Sequence, residues 1–418
     1  MGTVRSILTS VSVCAVAFAS TAAIAQDATN NQSVFERQRS DYDAKGLPAG
    51  AFRILPILKV EEEYNDNIFA TDGNEQEDFI THVKPSLTIE SDWSRHSLTA
   101  YANADAAFYA DNGDEDNTDY TVGTTGRLDV LRETYIFGGA SHALLHEDRG
   151  DPNATGSITE PTEYEQNNAN LSVYRGLRRF SFTADADYTE FDYEDDITTA
   201  GGINDNDDRD RYKAKSGLRV GYEILPDYEA FVQGNVNKID YDDAINNGNN
   251  RDSDGYEVET GLALDLGGKT RGEVSVGYME QNYDDPTLSD VDDFTFGASI
   301  LWNPSQLTSV RLNADRTIEE TVQTNASAYV NSTAGIAVEH ELLRSVLIGA
   351  NFNYSFQEYE GINIAREDNY YAAGADVKYL INRYSNFDLS YEFLDRDSNL
   401  AGQDYTQNRV MAGLAVKF

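Results

Sequence analysis

From about residue 54 to the end of the chain, apolar and polar residues alternate. A period of two marks a strand with two unlike faces. In 344–359 one face carries Val346, Ile348, Ala350, Phe352, Tyr354 and Phe356, and the other Leu347, Gly349, Asn351, Asn353, Ser355 and Gln357. In 180–188, Phe180, Phe182, Ala184, Ala186 and Tyr188 alternate with Ser181, Thr183, Asp185 and Asp187. The stretches 256–266 and 386–393 read the same way. About eighteen such segments can be marked, most of about 10–15 residues; a soluble strand usually has about 5–6, and a tilted strand crossing a bilayer needs about 9–11.

The connections alternate in length. Tight ones fall near Ser94-Arg95, Arg132-Glu133, Gly176-Leu177 (within Arg175–Arg179), Pro226-Asp227, Gly267-Gly268, Asn303-Pro304, Leu342-Leu343 and Ile381-Asn382. Long polar stretches lie between them, at 65–78, 110–119, 147–163, 190–211, 240–254, 283–293, 317–328, 358–368 and 394–404. Short turns at one end and long loops at the other are the pattern of an outer-membrane barrel. A β-sandwich has short strands packed face to face, and a β-solenoid repeats a sequence motif that is absent here. The fold expected is all-β: one transmembrane antiparallel up-and-down β-barrel of about eighteen strands, with sixteen as the alternative. The expected domain organisation is a signal peptide over 1–25, an irregular periplasmic segment over 26–53, tucked into the barrel mouth, and the barrel over 54–418.

Charge sharpens this picture. The chain has 72 Asp+Glu against 32 Lys+Arg, a net charge of −40. The long stretches hold most of the acid and little of the base. So acidic a surface excludes a nucleic-acid binder, which needs cations opposite phosphate. An aromatic content of 11 %, with 26 Tyr, argues against a disordered chain. Outside the first 25 residues there is no apolar run long enough for a membrane helix. Within them, Arg5, the apolar run Ile7–Ala19 and Ala23-Ile24-Ala25 read as a secretory leader with its cleavage site. The single cysteine, Cys14, lies in that leader, so the mature chain is expected to have neither disulfides nor a thiolate metal site.

No catalytic constellation and no cofactor loop is visible. His142 and His146 share a strand face but lie about 13 Å apart, too far for one metal. Asn250-Arg251-Asp252-Ser253-Asp254-Gly255 begins like a calcium loop, but its twelfth position is Gly261 instead of Glu. The reading is therefore no enzyme, no metal and no cofactor. Acidic outer loops could still recruit divalent cations that bridge to lipopolysaccharide phosphates.

The polar faces name a lining. Asn103, Asp105, Asp185, Asp187, Glu257, Glu259, Asp265, Asn351, Asn353, Asp388 and Glu392 are the pore-lining candidates. A carboxylate excess there favours cations or neutral hydrophilic solutes over anions. Sixteen to eighteen strands leave room for an aqueous channel. Trp93 and Trp302 sit beside tight turns, and Tyr64, Tyr109, Tyr120, Tyr193, Tyr241, Tyr256, Tyr283, Tyr359 and Tyr405 near loop ends, where aromatic girdles at the two interfaces are expected.

The chain ends in an alternating strand whose Val410, Gly413, Leu414, Val416 and Phe418 resemble the terminal signal by which outer-membrane barrels are recognised for assembly. Ala412 departs from it, standing where a polar residue is more usual. The stretch Val34–Asp43, then Gly46–Phe52, Pro56, Glu63–Ala70, Pro85-Ser86-Leu87 and Ser91–His96, resembles the outer-membrane β-barrel porin family of the second type, found in proteobacteria. The resemblance is carried by residues 34–96; the remainder matches in strand pattern. It implies an outer-membrane channel with lipopolysaccharide and the barrel-assembly machinery as partners. Because members and look-alike barrels occur in exopolysaccharide clusters, it also implies a conduit for polysaccharide export working with a periplasmic export protein. The competing reading is a plugged structural or adhesive barrel whose acidic loops bind a partner.

Overall fold

The structure is a computed structural model that describes residues 32–154, 158–242, 250–323, 325–361 and 365–418. The leader and Cys14 lie outside the described residues. A three-residue strand β1 (Leu47–Ala49) is followed by β2 (Phe52–Asn65), β3 (Asp78–Ser91), β4 (Ser97–Tyr109), β5 (Asn117–Leu131), β6 (Thr134–His146), β7 (Glu163–Leu177) and β8 (Phe180–Tyr193). A small pair, β9 (Asp196–Ile197) and β10 (Ile203–Asn204), decorates one long loop. Then come β11 (Arg211–Leu225), β12 (Tyr228–Tyr241), β13 (Ser253–Asp265), β14 (Thr270–Tyr283), β15 (Val291–Ser305), β16 (Thr308–Glu320) and β17 (Ala326–Leu343). The last four are β18 (Val346–Gly361), β19 (Glu367–Asn382), β20 (Ser385–Ser398) and β21 (Tyr405–Lys417).

Each long strand pairs antiparallel with its chain neighbours, and β21 returns to β2 from Ile57↔Lys417 to Asn65↔Arg409. Eighteen staves, β2–β8 and β11–β21, thus form a closed antiparallel barrel, and sixteen is excluded. Closure is what a bilayer demands, because an open edge would leave backbone donors and acceptors without partners in hydrocarbon. Leu58, Leu171, Leu218, Val236, Val258, Val276, Phe352 and Leu414 all stand exposed on the outer face. Such a belt is costly in water, at roughly 25 cal/mol per Å² of apolar surface, and costs nothing in lipid. No helix among the described residues is long and apolar enough to cross a membrane.

Three tight turns lie later than the sequence places them, at 306–307, 344–345 and 383–384. At each the strand takes an extra residue first: the register slips at Trp302/Ser305, Glu341/Leu343 and Leu380/Asn382. A bulge there bends the strand and carries Pro304 inside β15, at a point where it need not donate to the ladder. The turns at 132–133, 178–179 and 226–227 use left-handed residues, Glu133, Arg178 and Asp227, at φ of 58°, 57° and 70°.

One seam is irregular. β15 and β16 pair from Ser305↔Thr308 only as far as Gly297↔Asp315. Beyond that point the two strands part, while β16 stays paired with β17 to Glu320↔Ala328 and β17 with β18 to Ala326↔Gly361. The outer halves of β16 and β17 have slid inside the barrel as one hairpin.

Candidate functional site

All eleven lining candidates stand on the face opposite the exposed apolar residues of their own strands. On β4, where Leu98 and Phe108 are exposed, Asn103 accepts from Ser86 Oγ at 2.5 Å and Asp105 meets His82 Nδ1 at 2.9 Å and Lys84 Nζ at 3.1 Å. On β8, Asp185 lies over Gly217, and Asp187 accepts from Asn168 Nδ2 at 3.0 Å. On β13, Glu257 accepts from Asn235 Nδ2 at 2.9 Å and Lys215 Nζ at 3.4 Å, and Glu259 from Ser275 Oγ at 2.8 Å. Asp265 ends the same strand beside its turn. On β18, Asn351 covers Gly374 and Asn353 covers Gly335, two glycines where a Cβ would meet the amide at 3.0 Å or less. On β20, Asp388 lies 3.5 Å from Lys378 Nζ, and Glu392 shares its parity. The candidates are spread around the wall and along the axis, and form no single cluster.

The same face carries cations that the choice of small and acidic residues passed over. Lys84 bridges Glu61 and Asp105 at 3.1 Å each, and Lys59 also binds Glu61. Arg219 reaches Glu273 at 3.0 Å and Glu229 at 3.8 Å, with its guanidinium 3.6 Å over the Phe231 ring. The fixed carboxylates are therefore partly neutralised in place. The parity was the available signal: Lys59, Lys84, Lys215, Arg219 and Lys378 alternate with lipid-facing neighbours as regularly as the acids do.

At the long-loop end the infolded β16–β17 hairpin lies across the lumen. Side chains that would face lipid pack instead on the inner face of the neighbouring wall. Ile318, Ala328 and Val330 join Met279, Tyr283, Leu288 and Val291 in one apolar cluster. Arg316 binds Asp293 and Ser332, and Thr295 Oγ1 donates to the Arg316 carbonyl at 2.9 Å. Glu320 accepts from Tyr241 OH at 2.8 Å and Tyr283 OH at 3.4 Å. Arg251 donates to the Ser327 carbonyl at 2.8 Å, so the calcium-like segment spends its basic residue on the hairpin and runs into β13 at Ser253. At the tip, Thr321 Oγ1 and Val322 N meet Asn153 Oδ1 at 3.3 and 3.1 Å. Asn153 belongs to the loop after β6, and β6 stands nine staves round from β17, so hairpin and loop together bridge the bore.

That loop is itself drawn inward. Arg149 pairs with Glu115 at 2.5 Å, Glu147 binds Arg209, and the Gly150 carbonyl faces Arg396 at 3.5 Å. Burial, reinforced by the Glu147 charge, pushes the Asp151 carboxyl up to about 7. Burial also raises Asp210, to about 6.

At the short-turn end, residues 32–46 lie against the inner faces of β15–β19. Val34, fully buried, packs with Leu347 and Leu380, and its N–H donates to Ser309 Oγ at 2.9 Å. Arg37 reaches Asn303 Oδ1 at 2.9 Å, Arg39 pairs with Glu341 at 3.0 Å and Arg311 with Glu36 at 3.1 Å.

The aromatic girdle needs correction at its outer rim. Tyr193, Tyr241, Tyr283, Tyr359 and Tyr405 are buried and point inward, where Arg209, Arg366 and Arg396 stack on Tyr193, Tyr359 and Tyr405. Tyr256 does face outward, and Trp93 and Trp302 are exposed beside the short turns. A tyrosine near a loop end has the right parity for the wall only if the wall there is a single layer; here the infolded segments offer it an inner partner. A group of carboxylates missed in the sequence, Asp195, Asp205 and Asp207, comes together with ligand oxygens within 4.8 Å of one another on the exposed loop before β11.

A family model described as "Putative beta-barrel porin 2" matches residues 39–418. The chain belongs to that family. This β-barrel porin thus resides in the bacterial outer membrane, as the closed barrel and its apolar belt require. No curated protein matches it. Among solved structures, a mutant ferric enterobactin receptor from Pseudomonas aeruginosa shares 8 % identity over 90 % of this chain and 81 % of its own, with a TM-score of 0.47. The P. aeruginosa protein OpdO shares 12 % identity over 90 % and 99 %, at 0.44. The P. aeruginosa siderophore receptor PirA shares 8 % over 88 % and 80 %, also at 0.44. In the porin's last strand Val410, Leu414, Val416 and Phe418 face outward, and Gly413 lies inward against Lys59 and Glu61, where a Cβ would meet them at 2.8 and 3.0 Å.

Proposed function

We propose that this porin is a passive channel for hydrophilic solutes, held shut in the present state by its own hairpin. The observation that carries the reading is the wall itself: one face apolar and exposed to lipid, the other lined by hydrogen-bonded carboxylates, amides and ammonium groups along the whole axis. The eleven lining candidates contribute to ion preference, with Lys59, Lys84 and Lys215 tempering it. Transport is by diffusion, with no bond chemistry. Planar-bilayer recording tests it: discrete conductance steps are expected, and a purified, folded barrel that never conducts would overturn it. Polysaccharide export with a periplasmic partner is the narrower form of this reading and draws on the family resemblance alone. Loss of surface polysaccharide on deletion, restored by the full chain, would support it; unchanged polysaccharide would remove it.

The second reading, a plugged adhesive barrel, draws on the inward packing of the hairpin and of the loop carrying Asn153. It expects no conductance, and loss of surface attachment when loop 190–211 is shortened. The outward row Val410, Leu414, Val416 and Phe418 is the proposed contact for the assembly machinery. Phe418→Ala is expected to slow membrane insertion, and normal insertion would argue against that role.

A further inference from the structure

We propose that the outer halves of β16 and β17 form a gate leaf that moves between the infolded position and a place in the wall, where β16 resumes pairing with β15. This deepens the channel reading and rests on it. Three observations support it. First, this is the only inter-stave seam among the described residues left open over so long a stretch; Val291–Phe296 and Arg316–Glu320 are both strands, both extended, and unpaired with each other. Second, continuing the register from Gly297↔Asp315 would set Phe294 opposite Ile318, an apolar pair suited to an outer wall face, but would also turn Arg316 toward lipid, a cost that infolding removes by pairing it with Asp293. Third, the next two pairs explain why the ladder stops: Asp293 would meet Glu319, and Asp292 would meet Glu320. Like charges directly opposite destabilise a sheet. Infolding separates them: Asp293 turns to Arg316, and Glu320 to the hydroxyls of Tyr241 and Tyr283. The two positions therefore exchange a backbone ladder with carboxylate repulsion for side-chain latches without one. Two such arrangements of one rigid hairpin are what a switching element requires. In the wall position the tip leaves Asn153 and the hairpin no longer lies across the lumen.

Cysteine pairs test this in the full chain with Cys14→Ser, which leaves no other thiol. Asp292→Cys with Glu320→Cys should form a disulfide, because the two would be direct partners in the wall. In the infolded state Glu320 lies inside the barrel against Tyr241 and Tyr283, whereas Asp292 is exposed on the outer face and accepts from Tyr278 OH at 3.0 Å, so the wall stands between them and the bond cannot form. Thr321→Cys with Asn153→Cys should lock the infolded state. Oxidation is expected to raise conductance in the first variant and abolish it in the second, both reversed by reductant. Adding Tyr241→Phe and Tyr283→Phe should speed the first cross-link. If that cross-link never forms in barrels whose single thiols react, the hairpin does not move and the proposal fails. If both cross-links form but conductance ignores them, the leaf is no gate. Conductance absent from every variant overturns the channel reading, and cross-linking still decides the movement.

Discussion

Glu320 offers the most direct measure of how firmly the hairpin is held. It is 9 % exposed and accepts hydroxyl bonds at 2.8 Å from Tyr241 and 3.4 Å from Tyr283. A hydrogen bond to a charged group contributes about 1.5–3 kcal/mol, and the longer of the two lies near the weak limit, so the latch amounts to about 2–3 kcal/mol. Glu320→Gln keeps an acceptor but loses the charge, at about 1 kcal/mol; Glu320→Ala leaves both hydroxyls without their acceptor and loses the full amount. At about 1.4 kcal/mol per tenfold, the released population should grow roughly fivefold for Gln and roughly 30- to 100-fold for Ala. The assay is maleimide labelling of Ala328→Cys, at a fully buried position on the hairpin, in the Cys14→Ser chain. When closing outruns labelling, the rate follows the released fraction. Rates within twofold of the parent in both variants would refute the latch, and equal rates for Gln and Ala would refute the role given to the hydroxyl bonds.

Neutralising Asp185, Asp187, Glu257 and Glu259 together as amides should lower cation preference, read as a smaller reversal potential in a salt gradient; Lys215→Gln should shift it the other way, and unchanged potentials would remove these residues from the lining. Val34→Asp places a charge in a fully buried apolar contact with Leu347 and Leu380, and should free the amino-terminal segment so that trypsin cuts at Arg37 and Arg39, sites protected in the parent. The Asp151 carboxyl, near 3.9 when free, is pushed up to about 7 when its loop is seated, so the seated loop holds the extra proton between those values. Seating is therefore strongest below about pH 4 and weakens as pH rises toward 7. Hydrogen-exchange protection of 147–154 should fall between pH 5 and 8, and Asp151→Asn should flatten that dependence.

Alternation along the strands made the barrel legible, because a two-residue period leaves a stave no freedom about which face meets lipid. The count of eighteen came from the same signal, with turns displaced only where a bulge inserts a residue before the bend. The infolded hairpin was hidden for the same reason. Arg316, Ile318, Ala328 and Val330 keep the parity of wall residues, and an apolar side chain satisfied by Met279 looks, in sequence, like one satisfied by lipid. The facing acids Asp292-Asp293 and Glu319-Glu320 were the trace it left, readable only once the register between β15 and β16 was known. The lining was legible as a parity but not as a charge, since Lys84 reaches Asp105 from the neighbouring strand and Lys215 reaches Glu257 from two strands away.

The amino-terminal segment bears on how the molecule comes into being. Its partners Asn303, Ser309, Glu339 and Glu341 are synthesised some 270 to 300 residues after it. Contacts so distant in sequence close slowly and late. The seam that closes the cylinder, Ile57↔Lys417 to Asn65↔Arg409, joins residues more distant still. By the same measure the tether finds its strands before the edges meet, so each new copy already carries this segment against its inner wall when it seals.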